Sequence, residues 1–143
     1  MYCSKEMRRY NYLIGEMDAA YHEMSLKLGL SDSAMRILYA ICNSGERCLL
    51  SGICRLSGLS KQTVNSAIRK LEAEGVVYLE AAGAKTKNVC LTEAGKDLVQ
   101  RTALRVVEIE NDIFAAWTPE AIGEYLEQTE QFLRALQKRV AAL

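Results

Sequence analysis

Residues 53–77 have the sequence ICRLSGLSKQTVNSAIRKLEAEGVV, and this stretch decides the fold. Ser57 and Gly58 interrupt a short helical pattern, and Ser60 follows as a candidate N-cap. Beyond that cap the apolar side chains recur at helical spacing, at Val64, Ala67, Ile68 and Leu71. Gly75 stands where a helix commonly ends. Two helices joined by a short glycine-containing turn predict a helix-turn-helix, with Ile53, Cys54 and Leu56 on one side of the first helix.

The opposite face of the second helix is polar and basic, with no acidic side chain before Glu72. It consists of Lys61, Gln62, Thr63, Asn65, Ser66, Arg69 and Lys70. Gln, Asn and Arg side chains form paired hydrogen bonds with base edges, whereas Ser, Thr and Lys suit phosphates. The first helical turn also presents free backbone N–H groups to an anion. An ordinary solvated helix surface is the alternative interpretation, and the following residues weigh against it.

A β-branched and aromatic run at 76–79 comes directly after Gly75. A loop of small residues follows at 81–84, and a second short strand pattern lies at 88–91. A two-stranded hairpin behind a helix-turn-helix predicts a winged helix.

The distribution of charge agrees with this interpretation. The chain has 18 basic and 18 acidic residues, which excludes a protein coated uniformly in positive charge. Residues 47–87 contain seven basic and three acidic side chains, a local charge of +4, and the remainder carries −4. Segregated charge of this kind concentrates positive potential where a phosphate backbone would lie.

Long amphipathic helices flank the winged helix on both sides. The first is expected at about 5–28, closed by Gly29, and a shorter one follows a candidate N-cap at Ser31. From Thr92 an apolar helical stripe extends to Trp117, and Thr118-Pro119-Glu120 is typical of the start of a last helix. These stripes require a partner surface, either within the monomer or across a subunit interface.

Other classes of protein find no support in the sequence. The longest uncharged stretch, residues 37–45, is too short to cross a bilayer, and the N-terminus lacks a signal-peptide core, so we expect a cytoplasmic protein without membrane association. Five cysteines without a CxxC pair and a single histidine, His22, predict neither disulfides nor a metal site. No catalytic constellation or phosphate-binding glycine loop is present, so we expect neither an enzyme nor a cofactor.

Residues 53–64 and 71–77 resemble the DNA-binding core of the MarR family of bacterial transcription regulators. Leu91-Thr92-Glu93-Ala94-Gly95-Lys96 resembles the motif with which that family leaves its wing and enters the next helix. The resemblance implies a mainly α (α+β) fold and a single domain over 1–143, with dimerisation helices at about 5–45 and 98–143 and a winged helix-turn-helix at about 47–97.

The same resemblance implies a homodimer that binds a palindromic operator in double-stranded DNA. By position it assigns DNA contacts to the recognition helix and the wing: Ser60, Lys61, Gln62, Thr63, Asn65, Ser66, Arg69, Lys70, Lys85 and Lys87. The wing departs from the family pattern, because residues 82–87 lack the usual aspartate and arginine pair. Lysine carries the charge of arginine without its planar fork.

The leading hypothesis is a repressor that a small-molecule effector releases from DNA. Met17, Tyr21, Met35 and Tyr39 are candidate effector-pocket residues, although Met and Tyr at helical spacing also fit a plain core. A thiol-based redox regulator that uses Cys3 is one alternative. A winged-helix interaction module with weakened DNA binding is another.

Overall fold

The computed structural model describes residues 1–143 and contains seven α-helices and a three-stranded antiparallel sheet. In chain order the elements are α1 (Lys5–Lys27), α2 (Asp32–Asn43), β1 (Arg47–Leu49), α3 (Leu50–Ser57), α4 (Lys61–Ala73), β2 (Val77–Ala81), β3 (Lys87–Leu91), α5 (Glu93–Arg101), α6 (Ala103–Ala115) and α7 (Pro119–Ala141). None of the helices is both long and apolar enough to span a bilayer.

Local capping chemistry sets most of the helix boundaries. The hydroxyls of Ser31, Ser60 and Thr118 each accept a hydrogen bond from the backbone N–H three residues ahead, as predicted for N-caps. The predicted ends are also confirmed, because Gly29 and Gly75 follow α1 and α4 with φ of 80° and 74°.

The helix-turn-helix forms between α3 and α4. Gly58 has a φ of 68°, which turns the chain immediately after α3. Val64, Ile68 and Leu71 are buried and hold α4 against the core. The apolar side predicted for α3 is buried only in part, because Ile53 is buried but Leu56 is 61% exposed. Ser57, next to Leu56, fills a buried position that the apolar pattern did not indicate.

The sheet has three strands in the order β1-β3-β2, one more than the two-stranded hairpin predicted from the sequence. The missed strand, β1, pairs with β3 through the partners Arg47–Cys90, Cys48–Val89 and Leu49–Asn88. Ala81, which was expected in the loop, belongs to β2 and pairs with Lys87.

The helical stripe after Thr92 is divided, contrary to the single helix expected up to Trp117. Thr102 has φ −130° and ψ −86°, which ends α5 before α6 begins. Its side chain is 2% exposed, and its hydroxyl donates to the Leu98 carbonyl oxygen over 2.6 Å. A hydroxyl that bonds to the preceding turn competes with the regular backbone pattern and accompanies the break.

The chain forms two compact units, Met1–Val107 and Glu108–Leu143. The core of the first unit centres on α2, in which Ile37, Leu38 and Ile41 are fully buried and which packs against α1, α3, α4, α5 and β1. The second unit contains the end of α6 and all of α7. Trp117 packs edge-on against Phe114 and Tyr125 there, with ring centroids 5.4 and 5.5 Å away.

Thr92 joins the end of the sheet to the end of α4. Its hydroxyl accepts from the Gly95 N–H at 3.0 Å and donates to the Gly75 carbonyl oxygen at 2.5 Å. Its own N–H donates to the Val76 carbonyl oxygen at 3.1 Å. This arrangement brings α5 so close to Val76 that a Cβ at residue 95 would overlap the Val76 carbonyl oxygen.

We therefore expect Gly95→Ala to lower the free energy of unfolding by about 2 kcal/mol, because either α5 or the Val76 peptide must move. Urea denaturation followed by circular dichroism measures this change. Gly15→Ala is the matched control: a Cβ at residue 15 meets nothing within 4 Å, so this helical substitution should be neutral or stabilising. If the two variants were equally stable, the close approach of α5 to Val76 would not be what requires glycine at residue 95.

Candidate nucleic-acid interface

One face of α4 is turned to solvent, and we call it the recognition face. It comprises Lys61, Gln62, Thr63, Asn65, Ser66, Arg69 and Lys70, all exposed except the half-buried Asn65. Because the buried side chains of Val64, Ile68 and Leu71 occupy the opposite side, the helix cannot rotate without exposing them. The structure therefore places on one face of α4 the side chains that the sequence predicted to contact DNA.

The N-terminus of α4 is shaped by Ser60. Its hydroxyl accepts from the Thr63 N–H at 3.1 Å and donates to the Thr63 hydroxyl at 2.8 Å. The Ser60 side chain is thus engaged in capping, although it was predicted as a DNA contact. The N–H groups of Lys61 and Gln62, the first two helical residues, have no intrahelical acceptor and are suited to an anion.

The wing borders the same surface. An open cleft of about 600 Å³ lies between α3, α4 and the β2–β3 hairpin. Five predicted DNA-binding residues line it, namely Lys61, Asn65, Arg69, Lys85 and Lys87. Its apolar lining includes Leu49, Leu50, Cys54, Ile68 and Leu79, a feature that sequence reasoning missed because it depends on how the hairpin packs. Gln62, Thr63, Ser66 and Lys70 lie outside this lining.

Six of the seven cations from residue 47 to residue 87 have no acidic partner within the chain. Among the seven basic residues from 47 to 87, only Arg47 forms an ion pair, a contact of 3.9 Å with Glu80. Arg55, Lys61, Arg69, Lys70, Lys85 and Lys87 form none, although Glu72 lies in the same cleft. Unpaired cations leave their charge available to an external anion.

A second, shallower depression lies across α3 from the cleft. It has a volume of about 400 Å³ and is lined by Arg47, Arg55 and Asn88 together with the exposed Leu49 and Leu56. Both arginines belong to the positively charged stretch of the sequence, but no sequence motif predicts a DNA contact for either of them.

The four candidate effector-pocket residues have different surroundings. Met17 and Tyr21 on α1 are 43% and 46% exposed, whereas Met35 on α2 is 6% exposed and Tyr39 is half-buried. Neither the cleft nor the second depression contains any of them. Met35 therefore belongs to the core of this chain, and the effector pocket stays a prediction.

All five cysteines are free thiols, and Cys3 is the exposed one. Cys90 is a buried residue of β3, where burial and the neighbouring Glu80 carboxylate raise the pKa of its thiol. Burial also raises the pKa of Cys42. Because the thiolate is the reactive form, these shifts make Cys42 and Cys90 poor redox sensors.

Groups that could hold a metal ion do not assemble in this structure. No three His, Cys, Asp or Glu side chains come together in a suitable cluster. His22, the single histidine, lies 2.7 Å from the Asp32 carboxylate, a link between α1 and α2.

Comparison with known proteins agrees with this geometry. The sequence model of the MarR family matches residues 28–85, which include α2, both helices of the helix-turn-helix and the first wing strand. By that match, the chain is similar to the MarR family over its winged helix-turn-helix. A solved member of that family, from Silicibacter pomeroyi, is described as a transcriptional regulator. No curated protein shows significant sequence similarity to the chain.

Solved MarR family structures share the fold over most of the chain. A MarR family regulator from Neisseria meningitidis superimposes with a TM-score of 0.84 at 16% identity, covering 96% of this chain and 98% of its own. A MarR family transcriptional regulator from Streptomyces coelicolor, solved in complex with DNA, has a TM-score of 0.71 at 17% identity and covers 95% and 91%. Bordetella bronchiseptica BpsR, whose DNA binding is regulated by 6-hydroxynicotinic acid, has a TM-score of 0.64 at 19% identity and covers 85% and 98%.

Proposed function

We propose that this chain is a MarR family member and a sequence-specific DNA-binding regulator, a homodimeric repressor that a small-molecule effector releases from DNA. One observation carries the DNA-binding part: three residues of the recognition face line a single open cleft with the wing lysines, and no cation of this cleft is paired with an acid. The DNA complex of the Streptomyces coelicolor regulator supports this use of the shared fold.

The recognition face divides into two chemical roles. Gln62, Asn65 and Arg69 carry the paired donors or acceptors that distinguish base edges in a major groove. Thr63, Ser66, Lys61 and Lys70 suit phosphate oxygens, as do the free N–H groups at the start of α4.

The wing contributes charge to this proposal. Its tip is closed by a hydrogen bond of 3.0 Å from the Ala82 N–H to the Thr86 carbonyl oxygen, and Lys85 and Lys87 are exposed beside it. A lysine ammonium binds phosphate as a point charge and lacks the fork with which arginine contacts two acceptors. We therefore assign phosphate contacts to the wing and sequence recognition to α4.

Arg69→Ala tests the DNA-binding proposal. We expect this variant to bind a genomic fragment retained by the wild-type protein about 10- to 100-fold more weakly, because a paired contact with a base is lost. Fluorescence anisotropy over a series of salt concentrations measures the affinity.

Arg101→Ala is the matched control, since Arg101 is exposed on α5 and makes no ion pair. It should bind the fragment as tightly as the wild-type protein. Wild-type binding that neither weakens with Arg69→Ala nor depends on salt would contradict the proposal.

Dimerisation is inferred from an uncovered apolar face on α7. No residue of this helix is buried, yet it carries a stripe of large apolar side chains between 44% and 57% exposed: Tyr125, Leu126, Phe132, Leu133, Leu136 and Val140. A contiguous apolar surface of this kind is typical of an interface. A second copy of the chain that covers this face also supplies the two-fold symmetry that a palindromic operator requires.

Leu133→Lys should therefore convert the dimer to a monomer, because it places a charge in the apolar stripe. Light scattering coupled to size-exclusion chromatography measures the mass, for which one chain is 16.0 kDa. Gln131→Lys, on the polar side of the same helix, adds an equal charge and should leave the dimer intact. A monomeric wild-type protein, or a dimeric Leu133→Lys variant, would refute an interface through α7.

Release from DNA by a small-molecule effector is the third part of the proposed function. It is supported by BpsR, a relative in fold whose DNA binding responds to a small aromatic molecule. In the present chain Met17, Tyr21 and Tyr39 are the candidate pocket residues that remain accessible. We expect these side chains to enclose a ligand in the dimer and not in the single chain.

A further inference from the structure

Arg36 links the central helix α2 to the turn that precedes the recognition helix. It lies between the buried residues Met35 and Ile37, with its own side chain exposed. Its Nη1 group donates a hydrogen bond of 3.3 Å to the carbonyl oxygen of Ser57, 21 residues ahead in the chain.

The acceptor occupies a sensitive position. Ser57 is the last residue of α3, so its carbonyl oxygen has no partner within the helix and lies at the negative end of the helix dipole. A guanidinium at this end is favourable both as a donor and as a cation. The Ser57 side chain is also engaged, since its hydroxyl accepts from the Leu59 N–H at 3.2 Å. The carbonyl oxygen and the hydroxyl of Ser57 thus both accept hydrogen bonds that stabilise the turn.

The turn controls how α4 is presented. Only residues 58–60 separate α3 from α4, and Gly58 adopts the left-handed conformation within them. The direction in which α3 ends therefore influences where the recognition face points. Arg36 connects this junction to α2, whose side chains Ile37, Leu38 and Ile41 are fully buried and cannot easily shift.

We propose that Arg36 is a positioning residue for DNA recognition: it holds the last carbonyl of α3 and thereby the angle of α4, and it does not contact DNA itself. This inference rests on the proposed DNA-binding function. It adds a residue outside the helix-turn-helix and the wing to those on which specific recognition depends.

Arg36→Met and Arg36→Lys test the proposal. Methionine keeps an apolar stem and removes the donor and the charge, whereas lysine keeps one charged donor group. We expect Arg36→Met to bind a DNA selected by the wild-type protein about tenfold more weakly. Its binding to a random-sequence duplex and the salt dependence of both should be unchanged, because no phosphate contact is lost. Arg36→Lys should recover most of the specific affinity.

Amide hydrogen exchange without DNA supplies an independent measurement. The N–H groups of Gly58 and Leu59 should exchange faster in Arg36→Met than in the wild-type protein, because the turn is released. Arg101→Met is the control for the loss of an exposed arginine and should change neither the exchange nor the ratio of specific to non-specific affinity.

Three results would overturn the inference. An equal loss on both DNAs, with a shallower salt dependence, would make Arg36 a direct phosphate contact. A lower thermal midpoint with unchanged DNA binding would leave it a purely structural role. Unchanged specific binding and unchanged exchange would remove any role. Failure of the wild-type protein to bind DNA would instead refute the proposed function, and this inference with it.

Discussion

The burial of Val64, Ile68 and Leu71 is the constraint on which the rest of this structure depends. These three side chains hold one side of α4 against α2 and the sheet, so the rotation of α4 is set by the apolar core. The polar side of the helix is then exposed as a consequence of packing. The side chains predicted to contact DNA are thus positioned by the apolar core, and most of them are exposed to solvent.

The charged residues are divided in a similar way, into cations left unpaired on the predicted DNA-binding surface and ion pairs elsewhere in the chain. The surface from residue 47 to residue 87 leaves six cations without an ion pair, whereas ion pairs elsewhere join Lys27 to Glu23, Lys96 to Glu46 and Arg134 to Glu130. Exposed pairs such as these contribute little to stability. The unpaired cations matter more, because a local excess of positive potential speeds the encounter with DNA and makes its binding dependent on salt.

Local rules predicted much of the fold. Caps at Ser31, Ser60 and Thr118 and glycine ends at Gly29 and Gly75 depend on a few neighbouring residues, and all are observed. The exposed recognition face followed from the same periodicity. The features that were missed depend on distant contacts: a strand of three residues gives no alternating pattern, so β1 is visible only through its pairing with β3. Likewise, the break at Thr102 and the exposure of Leu56 reflect packing that apolar spacing alone does not encode.

We propose that two copies of α4, related by a two-fold axis, recognise DNA sequence. Selection of bound duplexes from a random pool at a stated salt concentration tests it most directly. We expect enrichment of an inverted repeat whose half-sites lie about one helical turn, or about 10 base pairs, apart. Recovery of no enriched sequence, or of a single site without two-fold symmetry, would contradict it.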